Sequence, residues 1–423
     1  MLRRTMRLPG LRPLRHRDFA LYWTGLTVSQ IGDWMETTTT AWLLYEITRS
    51  PVLLGVGGGI RALVTIAFGL IGGAVADRFP RRRLLFVTQT GFALSSLALG
   101  VLVVTGQVTF WHIYAFSAIN GTLAAFDAPA RRSLFPTLVP RSELQNAITL
   151  SGSVFRLGRL LGPAAAGAMI AAYGPAVSYF VNVASYAAII VALALMRAGD
   201  AVPRVRRALL REAAAGVTYT LSHRLLRSVL LLESVHSLFG INTALITILA
   251  SDVFHVGPEG LGVLLSAQAV GALGATTALV ALGDVERKGQ AMLGAGVAYA
   301  ILFGLLAGAV RFEVAVPLIV AIGFSDALWG TMRNTVFQFK TDEAYRGRTL
   351  SVLLLAGRGG AQGSQLETGL AVSVGGPSFA ILLGAAVIGA TLVAVNALTG
   401  EIRAFRGSPE PLAAVAGAGE GAQ

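Results

Sequence analysis

Apolar residues run along this chain in long stretches, and short polar or turn-forming segments interrupt them. A helix needs roughly 20 mostly apolar residues to cross a bilayer, and twelve stretches of this kind can be marked. Proline and glycine, as in Ser50-Pro51 and Gly257-Pro258, separate many of them. The pattern predicts an all-α membrane protein with twelve transmembrane helices, numbered here as spans 1 to 12. The spans cover residues 20–45, 52–77, 84–105, 110–135, 143–172, 175–197, 225–250, 259–283, 289–310, 314–339, 349–372 and 376–400.

The composition excludes several classes of protein. Of the 423 residues, 54% are hydrophobic and 13% are charged, whereas soluble domains carry about 25% charged residues. A water-soluble enzyme and a disordered chain are therefore excluded. The chain has no cysteine, its histidines form no HxxxH or HExxH spacing, and no phosphate-binding glycine loop is present. We expect no metal site, no cofactor and no enzymatic activity.

The positive charges define a topology. The formal net charge of +12 is a value that can indicate nucleic-acid binding. However, most of the 34 lysines and arginines lie in loops that a twelve-span chain places on one side, and the opposite loops hold only Arg49 and Arg311. Cations concentrate in cytoplasmic loops. We therefore predict a multi-pass protein of the cytoplasmic membrane with both termini in the cytoplasm and no nucleic-acid partner.

The central loop divides the spans into two sets of six. A shift of 202 residues places Arg131 on Arg333 and Arg156 on Arg358, so the second half repeats the first in the same orientation. Residues 204–224 are amphipathic, which indicates either a helix at the inner membrane surface or a solvated tether. The predicted organisation is a cytoplasmic arm over 1–19, a six-helix bundle over 20–197, a cytoplasmic linker over 198–224, a second six-helix bundle over 225–405 and a disordered tail over 406–423.

The loop after span 2 carries a motif. It contains Gly73, Asp77, Arg78, Arg81 and Arg82. The glycine permits close helix approach, the aspartate can pair with a cation or a helix N-terminus, and the arginines hold the loop on the inner side. The spacing resembles the GxxxDRxxRR loop motif of the major facilitator superfamily, in which this loop belongs to the cytoplasmic gate.

Two further segments resemble one branch of that superfamily. Ile31-Gly32-Asp33-Trp34-Met35 in span 1 and Phe126-Asp127-Ala128-Pro129-Ala130-Arg131 in span 4 are similar to segments of the enterobactin-exporter-like and multidrug efflux branch. The resemblance implies the major facilitator fold, with two parallel six-helix repeats. It also implies a secondary active transporter that exports amphipathic small molecules, siderophores or drugs, by proton antiport with alternating access.

Other functions remain open at this point. An importer or a lipid transporter of the same fold is the main alternative, and a membrane receptor without transport is another. Gly158, Gly162, Pro163 and Gly167 in span 5 partly resemble the antiporter motif of the superfamily, which favours export, although Ala166 stands where the motif has a glycine. Plain helix packing explains the same small residues. We expect a monomer in the lipid bilayer whose partners are a small-molecule substrate and protons.

Charged residues at membrane depth are the first functional candidates, because an unpaired charge there costs about 2.5–3.5 kcal/mol on insertion scales. Asp33 and Glu36 in span 1 and Arg61 in span 2 lie at similar depths on neighbouring helices. We predict that Arg61 pairs with one of the two carboxylates and that the other carries the coupled proton. Glu233 in span 7 is a third proton-coupling candidate. A static structural triad is the alternative.

A second set lies nearer the inner side. Asp127 and Arg131 are four residues apart and share a helix face, and we predict that they form a cytoplasmic gate network with Asp77. A permanent clamp is the alternative. Arg156 and Arg159 either face an anionic substrate or pair with Asp127 or Glu233. His236 is a substrate candidate or a hydrogen-bonded packing residue. The predicted substrate-binding residues are Arg61, Asn120, Arg156, Arg159, His236, Asn242 and Arg358.

Overall fold

The computed structural model describes residues 9–76, 78–197 and 209–405, and over these ranges the chain is helical with no β-strand. Several predictions lie partly or wholly outside these ranges. They concern the arm up to residue 8, Asp77 of the loop motif, the linker over residues 198–208 and the tail over residues 406–423.

The helices follow the predicted spans closely. In the first part of the chain they are α1 (Arg17–Thr48), α2 (Pro51–Ala76), α3 (Arg81–Val104), α4 (Phe110–Leu134), α5 (Leu144–Tyr173) and α6 (Ala176–Leu195). In the second part they are α7 (Leu209–Ser222), α8 (Arg224–Phe239), α9 (Thr243–Ile248), α10 (Gly257–Leu282), α11 (Lys288–Leu306), α12 (Phe312–Phe339), α13 (Arg346–Thr399) and α14 (Glu401–Ala404). Short 3₁₀ segments cover Pro9–Arg15, Phe135–Thr137 and Arg141–Glu143, and a π-helical turn covers Leu249–Val253.

Within the described residues, nine helical segments are long and apolar enough to cross a membrane. The predicted spans 1 and 4 are formed as α1 and α4, but their polar side chains keep them outside this set. The 54-residue α13 counts as one segment, although Gly376 has a φ of 80° and breaks it between the predicted spans 11 and 12. The chain is therefore a multi-span helical protein, and the count of twelve stays a prediction.

Span 7 differs from its prediction as one continuous helix over 225–250. The chain leaves helical geometry after Phe239 and restarts at Thr243. Asn242 is the cause of the restart, since its side chain accepts a 3.0 Å hydrogen bond from the Leu245 amide at the start of α9. Asparagine is a preferred N-cap because it satisfies an amide that has no partner inside the helix.

Three large apolar cores organise the helices. One is built from residues 19–196 and contains Phe19, Tyr22 and Phe135. A second is built from buried residues between 225 and 402 and includes Tyr299 and Trp329. The third mixes both parts of the chain, because residues 43–45 and 113–116 pack with residues 244–248 and 371–380. Two groups of helices thus have their own interiors and share a third, at the end of the bundle predicted to face outside.

Glycines bring the two groups together. A Cβ on Gly55 of α2 would lie 2.5 Å from the Gln365 carbonyl of α13, and one on Gly369 of α13 would lie 2.4 Å from the Pro51 carbonyl. The same closeness joins α5 to α10, where a Cβ on Gly262 would lie 2.5 Å from the Pro163 carbonyl. Small residues allow backbones to approach in this way in membrane proteins.

The helical part of the predicted linker packs against the protein. Gly216 of α7 lies against Arg348, and Tyr219 stacks on Tyr345 with ring centroids 4.3 Å apart. The Tyr219 hydroxyl also accepts a hydrogen bond of 3.3 Å from the Asp342 amide. Leu209–Ser222 is thus a helix fixed to the connection between α12 and α13, and a fully solvated tether does not describe these residues.

Candidate functional site

An open cavity lies between the two groups of helices, on the side where they touch. The space within its lining, counted together with the adjoining open solvent, is about 590 Å³. Three of the predicted site residues line it, Glu36 from α1, Arg61 from α2 and Asn120 from α4. Thr243 and Gln365 line the same cavity from the second group. A molecule bound here would contact both groups of helices.

Glu36 is buried at the wall of this cavity, with 6% of its surface exposed. Its Oε2 accepts hydrogen bonds from the Ser96 hydroxyl of α3 and from the Asn182 amide of α6, the latter at 2.8 Å. Both donors are neutral. The carboxyl group is therefore held in place by groups that keep their hydrogen bonds when the other oxygen gains a proton.

Asp33 lies one helical turn away and is held in the same manner. The Tyr186 hydroxyl of α6 donates to Asp33 Oδ1 at 2.6 Å, and the Gln30 amide donates to Oδ2. The predicted pairing of Arg61 with Asp33 or Glu36 is wrong. In the described ranges no hydrogen bond or ion pair joins Arg61 to either group, because neutral donors occupy the carboxylates and the guanidinium remains exposed at the cavity.

The predicted partnership of Asp127 with Arg131 is present. Arg131 Nε donates to Asp127 Oδ2 at 2.9 Å, and both side chains are buried. From α3, the Thr88 hydroxyl and the Gln89 amide donate to Asp127 Oδ1 at 3.1 and 2.8 Å. This pair ties α4 to α3. The third predicted member, Asp77, lies outside the described residues.

The arginines of the loop motif donate hydrogen bonds to carbonyl groups at helix ends. Arg81 Nη1 donates to the Ser133 carbonyl at the end of α4, and Arg82 Nη2 donates to the Ala194 carbonyl at the end of α6, both at 2.9 Å. Cations are favourable there because the last carbonyls of a helix have no partner inside it. Arg78 is exposed, and Gly73 belongs to the last turns of α2. The arginines of the motif therefore join the start of α3 to the ends of α4 and α6.

In the second group, Glu233 of α8 is paired with a cation. Arg333 Nη1 of α12 donates to Glu233 Oε2, and the side chains are 13% and 8% exposed. The predicted pairing of Arg156 or Arg159 with Glu233 or with Asp127 is therefore wrong, because each carboxylate has an arginine of its own group as its partner.

His236 lies one turn beyond Glu233 and is also partnered. Its Nε2 is 2.9 Å from Asp326 Oδ1 of α12, and its ring stacks on Trp329 and contacts Tyr299, with centroids 5.3 and 4.3 Å away. Asn242 caps α9 and donates to Thr368 Oγ1 at 2.7 Å. Two predicted substrate residues thus have internal partners that hold them in place.

The remaining arginines at membrane depth have no carboxylate partner in the described chain. Arg159 lies over the Trp34 ring at 5.9 Å from its centroid, which is a cation–π geometry. Arg156 and Arg358 are exposed. These cations require either water or a ligand, since an isolated charge in lipid is unfavourable.

The small residues of span 5 pack closely. A Cβ on Gly158 would lie 2.7 Å from the Gln30 carbonyl of α1, and one on Gly162 would lie 2.5 Å from Trp34 Cβ. Further along α5, Gly167 meets the Pro258 carbonyl of α10 in the same way. The segment therefore fixes α1, which carries Asp33 and Glu36, and also forms part of the contact between the two groups.

The polar donors around the carboxylates are not identified by the sequence reasoning. Ser96, Asn182 and Tyr186 are single polar positions inside apolar spans 3 and 6. Their only sequence signal is that buried polar groups require hydrogen-bond partners, and this signal does not say which helix supplies the partner.

Helices that cross a membrane in two groups, with a cavity of mixed polar and apolar lining between them, form the architecture of a solute transporter. The sequence profile of the family described as transmembrane secretion effectors matches residues 9–408. The chain belongs to this family, and the resemblance to the major facilitator superfamily and its siderophore-exporter branch is confirmed.

Curated relatives agree with this assignment. The staphyloferrin A transporter of Staphylococcus aureus is 23% identical over 331 residues, which cover 77% of this chain and 82% of that protein. The enterobactin exporter EntS of Citrobacter koseri is 25% identical over 345 residues, covering 80% and 82%. For the MFS-type transporter YfiS of Bacillus subtilis, a 25% identical match of 161 residues spans 38% of this chain and 37% of that protein.

Solved structures of transporters share the fold. A bacterial homologue of the human lysosomal transporter Spinster superposes with a TM-score of 0.70 at 15% identity, over 93% of this chain and 99% of that one. A mutant of the nucleoside transporter NupG superposes with a TM-score of 0.69 at 14% identity, over 90% and 100%. The chain is a multi-pass membrane protein with the fold of these transporters.

Proposed function

We propose that the protein is a secondary active transporter that exports amphipathic small molecules, siderophores or drugs, across the cytoplasmic membrane in exchange for protons. Twelve spans in two parallel six-helix repeats, with both termini in the cytoplasm, would form the pathway. The observation that carries the proposal is the cavity shared by both groups of helices, with a buried carboxyl group, Glu36, at its wall. The siderophore transport named for two relatives supports the substrate class.

Asp33 and Glu36 carry the proton in this proposal. Each accepts hydrogen bonds from neutral donors, so protonation leaves no partner with an unbalanced charge. Glu233 is not a proton carrier in this proposal, because a proton that binds Glu233 would have to displace Arg333.

Alternating access is supported by the contacts that join the two groups. Arg49 Nη1 donates to Ser251 Oγ at 3.2 Å, and the Tyr45 hydroxyl donates to Asp252. These residues lie at the predicted outer ends of α1 and of the π-helical turn after α9. We propose that this structure is closed to the outside and that the Asp127–Arg131 pair belongs to the gate that closes the inner side in the other state.

A growth-inhibition panel of drugs and siderophores on an expressing strain is the first test. A compound to which expression gives resistance is then offered to inverted membrane vesicles, which should accumulate it when their interior is acid. Accumulation that survives collapse of the pH gradient would contradict proton antiport. Uptake by right-side-out cells instead of export would indicate an importer of the same fold.

The outer contact can be tested separately because the natural chain has no cysteine. The double variant Arg49→Cys/Ser251→Cys, joined by a short bis-maleimide, should lose export, since the outer side can no longer open. Each single variant treated with the same reagent is the control. Unchanged export in the cross-linked protein would contradict alternating access at this position.

A further inference from the structure

Glu36 and Arg61 face one cavity with opposite charges but do not bond to each other. Opposite charges at one depth on neighbouring helices normally pair, because each charge lowers the cost of placing the other in the membrane. Here Glu36 is turned toward Ser96 and Asn182, and Arg61 is exposed at the cavity wall. The space between the two charges is therefore available to a ligand.

Glu36, Arg61 and the amide of Asn120, which lines the same cavity, retain bonding capacity. The Glu36 hydrogen bonds end on Oε2, and no described group donates to Oε1. Asn120 is 4% exposed, and its Oδ1 is buried without a hydrogen-bond partner in the described structure. Buried polar groups nearly always have partners, so an unpartnered amide at a cavity wall points to a bound molecule that completes it.

Part of the wall is apolar, and Thr37, Thr40, Ser117, Thr243 and Gln365 add further polar groups to it. Ala41 and Leu44 of α1, Leu54 of α2 and Phe116 of α4 line the same cavity. A ligand that fills it would bury an apolar body against these side chains and place polar groups near Asn120 and the two charges.

We propose that this cavity is a subsite for the zwitterionic end of an amphipathic substrate. A carboxylate of the ligand would bind Arg61, an ammonium group would donate to Glu36 Oε1, and the Asn120 amide would bond between them. Arginine suits this role because its planar fork binds carboxylates with two parallel hydrogen bonds. This inference rests on the proposed transport function and specifies the chemistry of its cargo.

Coupling follows from the same geometry. A ligand ammonium and a proton would compete for Glu36, so occupancy by one would displace the other. An antiporter requires this exclusion, and here one carboxyl group would provide it.

Three small molecules with the same phenyl body test the proposal. L-phenylalanine carries both charges, 2-phenylethylamine only the cation and 3-phenylpropionate only the anion. Binding to the purified full chain in nanodiscs is measured by calorimetry and by thermal stabilisation. Phenylalanine should bind at least about tenfold more tightly than either analogue, because a hydrogen bond between charged groups is worth roughly a factor of ten or more.

Single variants assign the two contacts. Arg61→Gln should remove the preference of phenylalanine over 2-phenylethylamine, and Glu36→Gln should remove its preference over 3-phenylpropionate. The matched controls are Arg311→Gln and Glu313→Gln, an exposed pair outside the cavity, which should keep both preferences.

Equal binding of the three molecules, or binding of none, would overturn the zwitterion subsite. So would loss of both preferences in the control variants. Failure here is distinguishable from failure of the proposed function. A protein that exports compounds of the growth panel under a pH gradient but shows no preference for phenylalanine is a transporter with a different substrate chemistry.

Discussion

Asp33 and Glu36 of the first group of helices are held differently from Glu233 and Asp326 of the second. In the first group, Asp33 and Glu36 accept hydrogen bonds from a tyrosine, two amides and a serine. In the second group, Glu233 is bonded to Arg333, and Asp326 is bonded to His236. A carboxylate held by neutral donors can gain a proton without leaving a cation unpaired, whereas one held by an arginine cannot. The difference supports our proposal that Asp33 and Glu36 exchange protons. Asp127 of the first group is paired with Arg131, as Glu233 is with Arg333, and is not a candidate.

The predicted internal repeat makes the comparison sharper. The shift of 202 residues that indicates the repeat places Arg131 on Arg333. Arg131 bonds to Asp127 four residues earlier in its own helix, while Arg333 crosses to α8 to reach Glu233. Residue 329, which matches Asp127, is a tryptophan, so the second half has no carboxylate at that place. The two matching arginines thus have different partners, one in the same helix and one in a neighbouring helix.

Removal of Arg333 should have the largest effect on stability. Arg333→Ala leaves Glu233 buried without its cation, which costs about 3–5 kcal/mol, and thermal unfolding in detergent measures the loss. Arg358→Ala, an exposed arginine, is the control and should change stability little. The double variant Glu233→Gln/Arg333→Gln should be more stable than Arg333→Ala, and equal instability of the two would contradict the ion-pair explanation.

The next effect concerns the contact that holds α1. In Gly162→Ala the new Cβ would lie 2.5 Å from Trp34 Cβ, and such overpacking costs about 1–3 kcal/mol. Gly152→Ala in the same helix meets nothing within 4 Å and should be neutral or stabilising, because alanine favours helices. If both variants unfold at the same temperature as the parent, close packing does not explain the small residues of span 5.

A smaller loss is expected for the histidine of the second group. His236→Phe keeps the contacts with Trp329 and Tyr299 but removes the hydrogen bond to Asp326, a change worth about 1–3 kcal/mol. Unfolding temperatures and export are compared with the parent. Export should persist if the His236–Asp326 pair is structural. Loss of proton-driven export in a stable His236→Phe protein would instead indicate that the second group of helices takes part in proton coupling.

The smallest change in stability is expected for the proposed proton carrier. Glu36→Gln keeps the shape of the side chain and an oxygen that accepts from Ser96 and Asn182, so stability should fall by less than about 1 kcal/mol. Thermal unfolding in detergent measures the loss of stability in Glu36→Gln, and this loss is compared with that of Arg333→Ala. Comparable destabilisation by the two variants would remove the distinction between the groups.

Much of this architecture follows from local patterns in the sequence. Hydropathy predicts where helices lie, and turn residues such as Gly376 mark breaks in them. Spacing along one helix predicts the Asp127–Arg131 pair, since residues four apart are neighbours. Contacts within a helix are therefore accessible from the sequence.

Contacts between helices cannot be predicted from the sequence in the same way. Equal depth on neighbouring spans suggests that Arg61 pairs with Glu36, but depth does not fix the rotation of a helix about its axis. That rotation depends on close packing, such as that of Gly162 against α1, and it turns Glu36 toward Ser96 and Asn182. The break at Asn242 is missed for a related reason, because a hydropathy window averages over a single capping residue.

Substrate-dependent proton movement in proteoliposomes tests the difference between the two groups most directly. A compound identified in the growth panel is added to liposomes that contain a pH-sensitive dye, and the parent is compared with Asp33→Asn/Glu36→Gln and with Glu233→Gln/Arg333→Gln. We predict that proton movement is lost in the first double variant and persists in the second when equal amounts of folded protein are present. Persistence in the first, with loss in the second, would contradict the assignment of proton exchange to the first group.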